Sequence, residues 1–276
     1  MAKIRLALLD MNNNHMNQGM RNISEISRAF RARCNGDVHI RIFDVRFKDE
    51  MPAVADFDIF ISSGGPGNPH REGHPWEQKF ADFLDEIFNH NLNSERKKYL
   101  FLICHSFQLA SIHWKLGTIN LRKSYSFGVM PIHKTREGET DFLLKNLPEP
   151  FYAVDSRAYQ FVRPDYQRLE ELGMQITALE KVRPHIELER AVMAIRFSEE
   201  IFGTQFHPEA DPEGMMTNLE DDRNRAAMIE SFGVEKFLET IDRLDDPDKI
   251  VLTQKEILPR FLERARMKLL DTVAVF

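Results

Sequence analysis

Between Ile4 and Trp114 short, nearly unbroken apolar runs alternate with segments whose apolar residues recur every three to four positions. The runs Ile4–Leu9, Val38–Val45, Phe57–Ile61 and Tyr99–Ile103 have the length and composition of buried strands. Between them, 17–33 places Ile23, Ile26 and Phe30 on one helical face, and 76–90 does the same with Phe80, Phe83, Leu84 and Ile87. Strand–helix–strand order leaves few topologies open, because right-handed crossovers stack parallel strands in one sheet with helices on both faces. In such doubly wound sheets ligands sit beyond the C-terminal strand ends, so residues that follow these runs are the first candidates for chemistry.

Two segments fall there. The run Leu100-Phe101-Leu102-Ile103 stops at Cys104 and is followed by the helix-compatible His105-Ser106-Phe107-Gln108-Leu109. A buried strand, a sharp turn bearing a nucleophile and a helix aimed back at it form a nucleophile elbow. The N–H groups and dipole of that helix favour an anion, either a thiolate or an oxyanion. After Ile61 comes Ser62-Ser63-Gly64-Gly65-Pro66-Gly67. Its glycines allow backbone N–H groups to turn inward and bind negative charge. A third segment, Ile201-Phe202-Gly203-Thr204-Gln205-Phe206-His207-Pro208-Glu209, ends an apolar run at a histidine with a carboxylate two residues on. That supplies a base for Cys104 and an orienter for the base.

From Ser126 to Phe206 the pattern changes to short strand-like runs, read as antiparallel additions at the far side of the sheet. Beyond Pro212 the chain is mostly helical, with periodic segments at 218–232, 234–244 and 252–270. The division expected is a domain over 1–212 and a helical C-terminal extension over 213–276 packed on it.

Together Ser63-Gly64-Gly65-Pro66-Gly67, Cys104-His105-Ser106-Phe107-Gln108 and Gly203-Thr204-Gln205-Phe206-His207-Pro208-Glu209 resemble the class I, triad-type glutamine amidotransferases, including the amidotransferase portion of GMP synthases. The resemblance covers about residues 1–212 and implies a flavodoxin-like, mostly parallel α/β sheet. It implies that Cys104 attacks a glutamine side-chain amide, that His207 is base and then acid, and that Glu209 orients His207. The N–H groups of Gly65 and His105 would form the oxyanion hole, and Gly64, Gln108 and Arg157 would line the substrate. No metal and no organic cofactor is implied. The sequence departs from the family at Leu102 and Ser106, where glycines flank the nucleophile, and at Arg157, where a Ser-His pair is usual. Ile103-Cys104-His105 also resembles the DJ-1/PfpI elbow, in which His105 would be the base. A γ-glutamyl hydrolase and a non-catalytic binding module are the other readings left open.

The chain of 276 residues carries a net charge of −6, which argues against nucleic acid as a partner. Its start has no signal-peptide pattern, no apolar run approaches a membrane span, and Cys34 and Cys104 are its two cysteines. A cytoplasmic protein with free thiols is the expectation. His70 and His74 have a metal-like spacing, but Pro69, Gly73 and Pro75 break the helix that would align them, so a loop is expected. With no P-loop in the sequence, the expected partners are glutamine or a γ-glutamyl compound and a separate ammonia-accepting synthetase subunit, self-association being left open.

Overall fold

The computed structural model describes residues 4–273, apart from Met16, Ile186 and Pro247. Nine strands form one mixed sheet: β1 (Ile4–Asp10), β2 (Val38–Asp44), β3 (Ile59–Ser62), β4 (Tyr99–Ile103), β5 (Gly117–Lys134), β6 (Phe151–Pro164), β7 (Gln175–Glu180), β8 (Val192–Arg196) and β9 (Ile201–Thr204). Their order is β2-β1-β3-β4-β9-β8-β7-β5-β6. From β2 to β9 neighbouring strands are parallel; from β9 onward every pairing is antiparallel.

The parallel half is built by side-chain alternation. Leu6, Leu8, Ile59, Ile61, Phe101, Ile103 and Phe202 point to one face, and Ala7, Leu9, Phe60, Leu100, Leu102 and Ile201 to the other. Both faces are buried, which is why these strands read as continuous apolar runs rather than as alternating ones. On the first face pack α1 (Gln18–Arg33), through Ile23 and Phe30, and α9 (Ile250–Val273), through Ile257, Phe261 and Leu262. On the second pack α2 (Pro75–Asn93) and α3 (His105–His113).

In the antiparallel half β5 and β6 form a long ribbon, covered by α6 (Pro212–Glu220), α7 (Asp222–Phe232) and α8 (Val234–Asp245) around Val129, Val154, Met215 and Leu244. Two short helices, α4 (Arg136–Thr140) and α5 (Tyr166–Glu171), follow the ribbon strands. The C-terminal helices thus share cores with both halves, and α9 supplies much of one layer. Among the described residues no helix is long and apolar enough to cross a membrane.

Candidate active site

Strand β4 ends at Cys104, which caps α3 with φ 49° and ψ −99°. A positive φ in a residue with a Cβ costs roughly 1–3 kcal/mol and persists only where the surroundings enforce it. Here the Cys104 N–H donates to the Thr204 carbonyl at 2.7 Å, and its own carbonyl accepts from the Gln108 N–H at 3.0 Å. Leu102 is fully buried and pairs in register with Gly203 of β9. A Cβ on Gly203 would lie 3.3 Å from that of Leu102 and 2.8 Å from the Phe197 ring. The space lost to a side chain at 102 is therefore returned by the glycine across the ladder. Ser106 is buried as well, its hydroxyl 2.7 Å from both the Ser62 hydroxyl and the Ser63 carbonyl, so it ties the elbow helix to the end of β3.

The loop after β3 approaches the elbow closely. A Cβ on Gly65 would collide with the Met11 carbonyl at 2.2 Å, and one on Gly64 would lie 2.9 Å from His207 Cε1 and 3.4 Å from Cys104 Cβ. Only glycine fits at either position. Arg46 straps this loop: Nη1 donates to the carbonyls of Met11 at 3.2 Å and Pro66 at 2.5 Å, and the guanidinium lies over the Trp76 ring. The N–H groups of Gly65 and His105 have no protein acceptor among the described residues.

His207 arrives from the other side, just past β9, where its N–H donates to the Val154 carbonyl at 2.8 Å. Its Nδ1 is 2.9 Å from Glu209 Oε1, and a Cβ placed on Gly64 would touch both the His207 ring and Cys104 Cβ, so the imidazole and the thiol face the same narrow wall. The Glu209 carboxylate is buried beside the first turn of α1, where a helix N-terminus favours an anion. Its backbone carbonyl accepts from Gln254 Nε2 of α9 at 3.1 Å. Burial works against a charged His207, but the charges of Glu209 and Cys104 and the hydrogen bond to Glu209 outweigh it, and the imidazole holds its proton well above the ordinary histidine range. His105 is the opposite case. Burial, with the nearby charge of Arg46, pushes it down to about 3, and its Nε2 has no hydrogen-bond partner. The structure thus brings Cys104, His207 and Glu209 together and leaves His105 a neutral ring in the core.

A cavity of about 730 Å³ opens onto this cluster, with Gly64, Ser156, His207, Glu209, Phe127 and Arg21 among its walls. Gln108 is buried beneath it, donating to the Tyr159 carbonyl at 3.2 Å and to Gln205 Oε1 at 2.9 Å. Arg157, expected along the substrate, lies elsewhere: its side chain is 1% exposed, its Nε donates to Asp155 at 2.8 Å, and one Nη is 3.4 Å from Glu180. The long guanidinium turns toward these buried carboxylates because they are its nearest opposite charges. Gln205 and Arg46 escape notice in the sequence, although Gln205 lies within the string that ends at His207. His70 is a loop residue whose Nε2 bonds the Ile119 carbonyl, and no group of potential metal ligands occurs among the described residues.

The sequence matches the glutamine amidotransferase class-I family over residues 16–224. The chain belongs to the class I glutamine amidotransferases. The fold agrees: a glutamine amidotransferase from Thermotoga maritima superposes with a TM-score of 0.67 at 14% identity, covering 96% of this chain and 99% of that one. One from Methylobacillus flagellatus gives 0.67 at 12% identity, covering 98% and 95%. The glutaminase domain of Trypanosoma brucei CTPS, with bound acivicin, gives 0.53 at 14%, covering 75% and 86%. No curated protein matches the sequence. As an amidotransferase of this class the chain has the mixed sheet, flanking helices and C-terminal helices described above.

Proposed function

We propose that the protein hydrolyses the γ-amide of glutamine, or of a γ-glutamyl compound, through a Cys104 thioester. The observation that carries this reading is Cys104 at a strained strand-to-helix turn with the hydrogen-bonded His207–Glu209 pair beside it. The Cys104 thiolate adds to the amide carbon, and the resulting oxyanion is met by the N–H groups of Gly65 and His105. His207, held protonated by Glu209, gives its proton to the amide nitrogen, the C–N bond breaks and ammonia leaves. Water then adds to the thioester while His207 takes its proton; the C–S bond breaks, and glutamate and the free thiol are released. Gly64 packs against both Cys104 and His207 and keeps that wall of the site narrow. Arg157 contributes at one remove, by holding Asp155 beside the Ser156 carbonyl that faces the sulfur.

His105 is a poor base for this chemistry, because its ring is buried, neutral and unpartnered. In this reading the ammonia goes to a separate synthetase subunit, since the sequence carries no P-loop of its own. Ammonia release from glutamine and simple γ-glutamyl amides, compared between wild type and Cys104→Ala, is the direct test. The variant should lose at least ~10³-fold in kcat, as removal of a nucleophile does elsewhere; retained turnover would end the proposal. Acivicin labelling locates the base: it should collapse in His207→Ala and persist in His105→Ala, and the reverse outcome would move the base to His105.

A further inference from the structure

We propose that Gln205 is a catalytic residue that donates a hydrogen bond to the Cys104 sulfur, and that Gln108 is the positioning residue that fixes which end of the Gln205 amide faces it. The inference rests on the reading of Cys104 as the nucleophile. Gln205 is fully buried, with Nε2 3.5 Å from Cys104 Sγ. An amide placed this way is ambiguous by shape alone, since its oxygen and nitrogen ends are alike. The neighbours remove the ambiguity. Gln108 Nε2 lies 3.2 Å from the Tyr159 carbonyl and 2.9 Å from Gln205 Oε1. A backbone carbonyl only accepts, so the end of Gln108 that faces it is the NH₂. Its second N–H points at Gln205, which must therefore present its oxygen to Gln108 and its NH₂ to the sulfur. The polarity runs from a main-chain carbonyl, through two side chains, to the nucleophile.

The relay is held at each step. Gln108 lies in the first turn of α3, directly behind Cys104, and Tyr159 belongs to β6. The Gln205 N–H donates to the Met193 carbonyl at 2.8 Å, which fixes the backbone from which the side chain projects. On another side of the sulfur stands the Ser156 carbonyl, 3.7 Å away. That oxygen can only accept, so it favours the S–H form. An N–H donor favours the thiolate, since hydrogen bonds to an ionised acceptor are roughly twice as strong as those to a neutral one. Gln205 and His207 thus oppose Ser156 in setting the charge on the sulfur.

The test is iodoacetamide alkylation of the full-length protein as a function of pH, in a Cys34→Ser background that leaves Cys104 as the single thiol. Gln205→Met keeps the side-chain length and removes the donor. Its alkylation at neutral pH should slow about tenfold, and the midpoint of the rate profile should move up by about one pH unit. Gln108→Glu should move the midpoint the same way, because a carboxylate cannot donate to the Tyr159 carbonyl and draws the Gln205 NH₂ toward itself, turning the oxygen onto the sulfur. Gln108→Leu only frees the amide and should shift the midpoint less. Thermal unfolding identifies the variants that keep the fold. A folded Gln205→Met or Gln108→Glu protein with an unchanged midpoint overturns the proposal. Because alkylation needs no glutamine, a shifted midpoint in a protein that releases no ammonia would uphold the relay and remove only the substrate reading.

Discussion

The two halves of the sheet solve the problem of burial in different ways. In the parallel half both faces are apolar; Gly64, Cys104 and His207 meet at the C-terminal strand ends, and the buried charges Asp58 and Lys98 sit at the opposite ends of β3 and β4. In the antiparallel half charge is taken inside. Glu180 faces Arg122 at 3.3 Å, Arg157 at 3.4 Å and Arg183 at 2.7 Å, and Asp155 accepts from Ser126 at 2.7 Å and from Arg157. Apolar layers tolerate no missing volume, whereas a buried ionic cluster tolerates no missing partner. Truncation in the apolar layers should therefore cost the same at any pH, whereas the ionic cluster of the ribbon should respond to protonation.

Phe261 of α9 tests the first half most severely. It is 3% exposed, with its ring edge-on to Phe101 at 5.2 Å and to Tyr99 at 6.5 Å. Phe261→Ala should cost about 3–5 kcal/mol. Urea unfolding of the full-length chain measures this, and the cost should be the same at pH 5 and pH 8. A loss below ~1 kcal/mol would mean that α9 is an appendage rather than a layer of the core.

Glu180 tests the second half. Burial pushes its carboxyl up, but the hydrogen bond from Arg183 and the charges of Arg157, Arg122 and Arg183 outweigh this and hold it down at about 2, below the ordinary 4.5. A carboxyl lowered in the folded state contributes stability that is present above the unfolded value and is lost as pH falls through the folded one. The window is therefore between about pH 4.5 and pH 2. The contribution at neutral pH is up to about 3 kcal/mol. Glu180→Gln should remove it, so that stability above pH 5 drops while its decline with acid flattens. A variant with the wild-type slope between pH 5 and 3 would break the contrast between the halves.

The same contrast explains what is legible in the sequence. Buried parallel strands are written as contiguous apolar runs, so β1, β3, β4 and β9 emerge within two or three residues of their ends, and the elbow with them. The ribbon is obscured by its own charges. Arg122, Lys123, Asp155, Arg157 and Arg163 interrupt β5 and β6, and only the apolar stretches from Phe127 and from Phe151 stand out. Nothing local announces that Arg122 and Arg157 will meet Glu180, since burial of a charge depends on a partner far along the chain. In the site, Cys104 and His207 are legible because each ends an apolar run. Gln108, on a helix, and Gln205, just past a strand, lie in the strings around Cys104 and His207, but nothing local announces that their side chains will meet. The Leu102 departure reads as a conflict until Gly203 is seen across the ladder.

The smallest effect is expected at Arg46, which lies against the loop after β3. Although it is a half-buried cation in the apolar half, it meets carbonyls rather than carboxylates, and burial lowers its pKa despite the charges of Glu72 and Glu77. Its two acceptors, Met11 and Pro66, bracket the Gly65 turn, so it governs where the Gly65 N–H points rather than whether the sheet holds. Arg46→Ala should lower kcat about tenfold, equivalent to ~1.4 kcal/mol of transition-state stabilisation, with KM and the unfolding midpoint changing little. Arg46→Lys keeps the charge and N–H donors but loses the planar stack on Trp76, so it should recover only part of the rate. Steady-state kinetics on the amide substrate, read beside thermal unfolding, separate the two roles. If kcat is retained while the protein is destabilised by several kcal/mol, Arg46 belongs with the structural cations of the ribbon and not with the loop it straps.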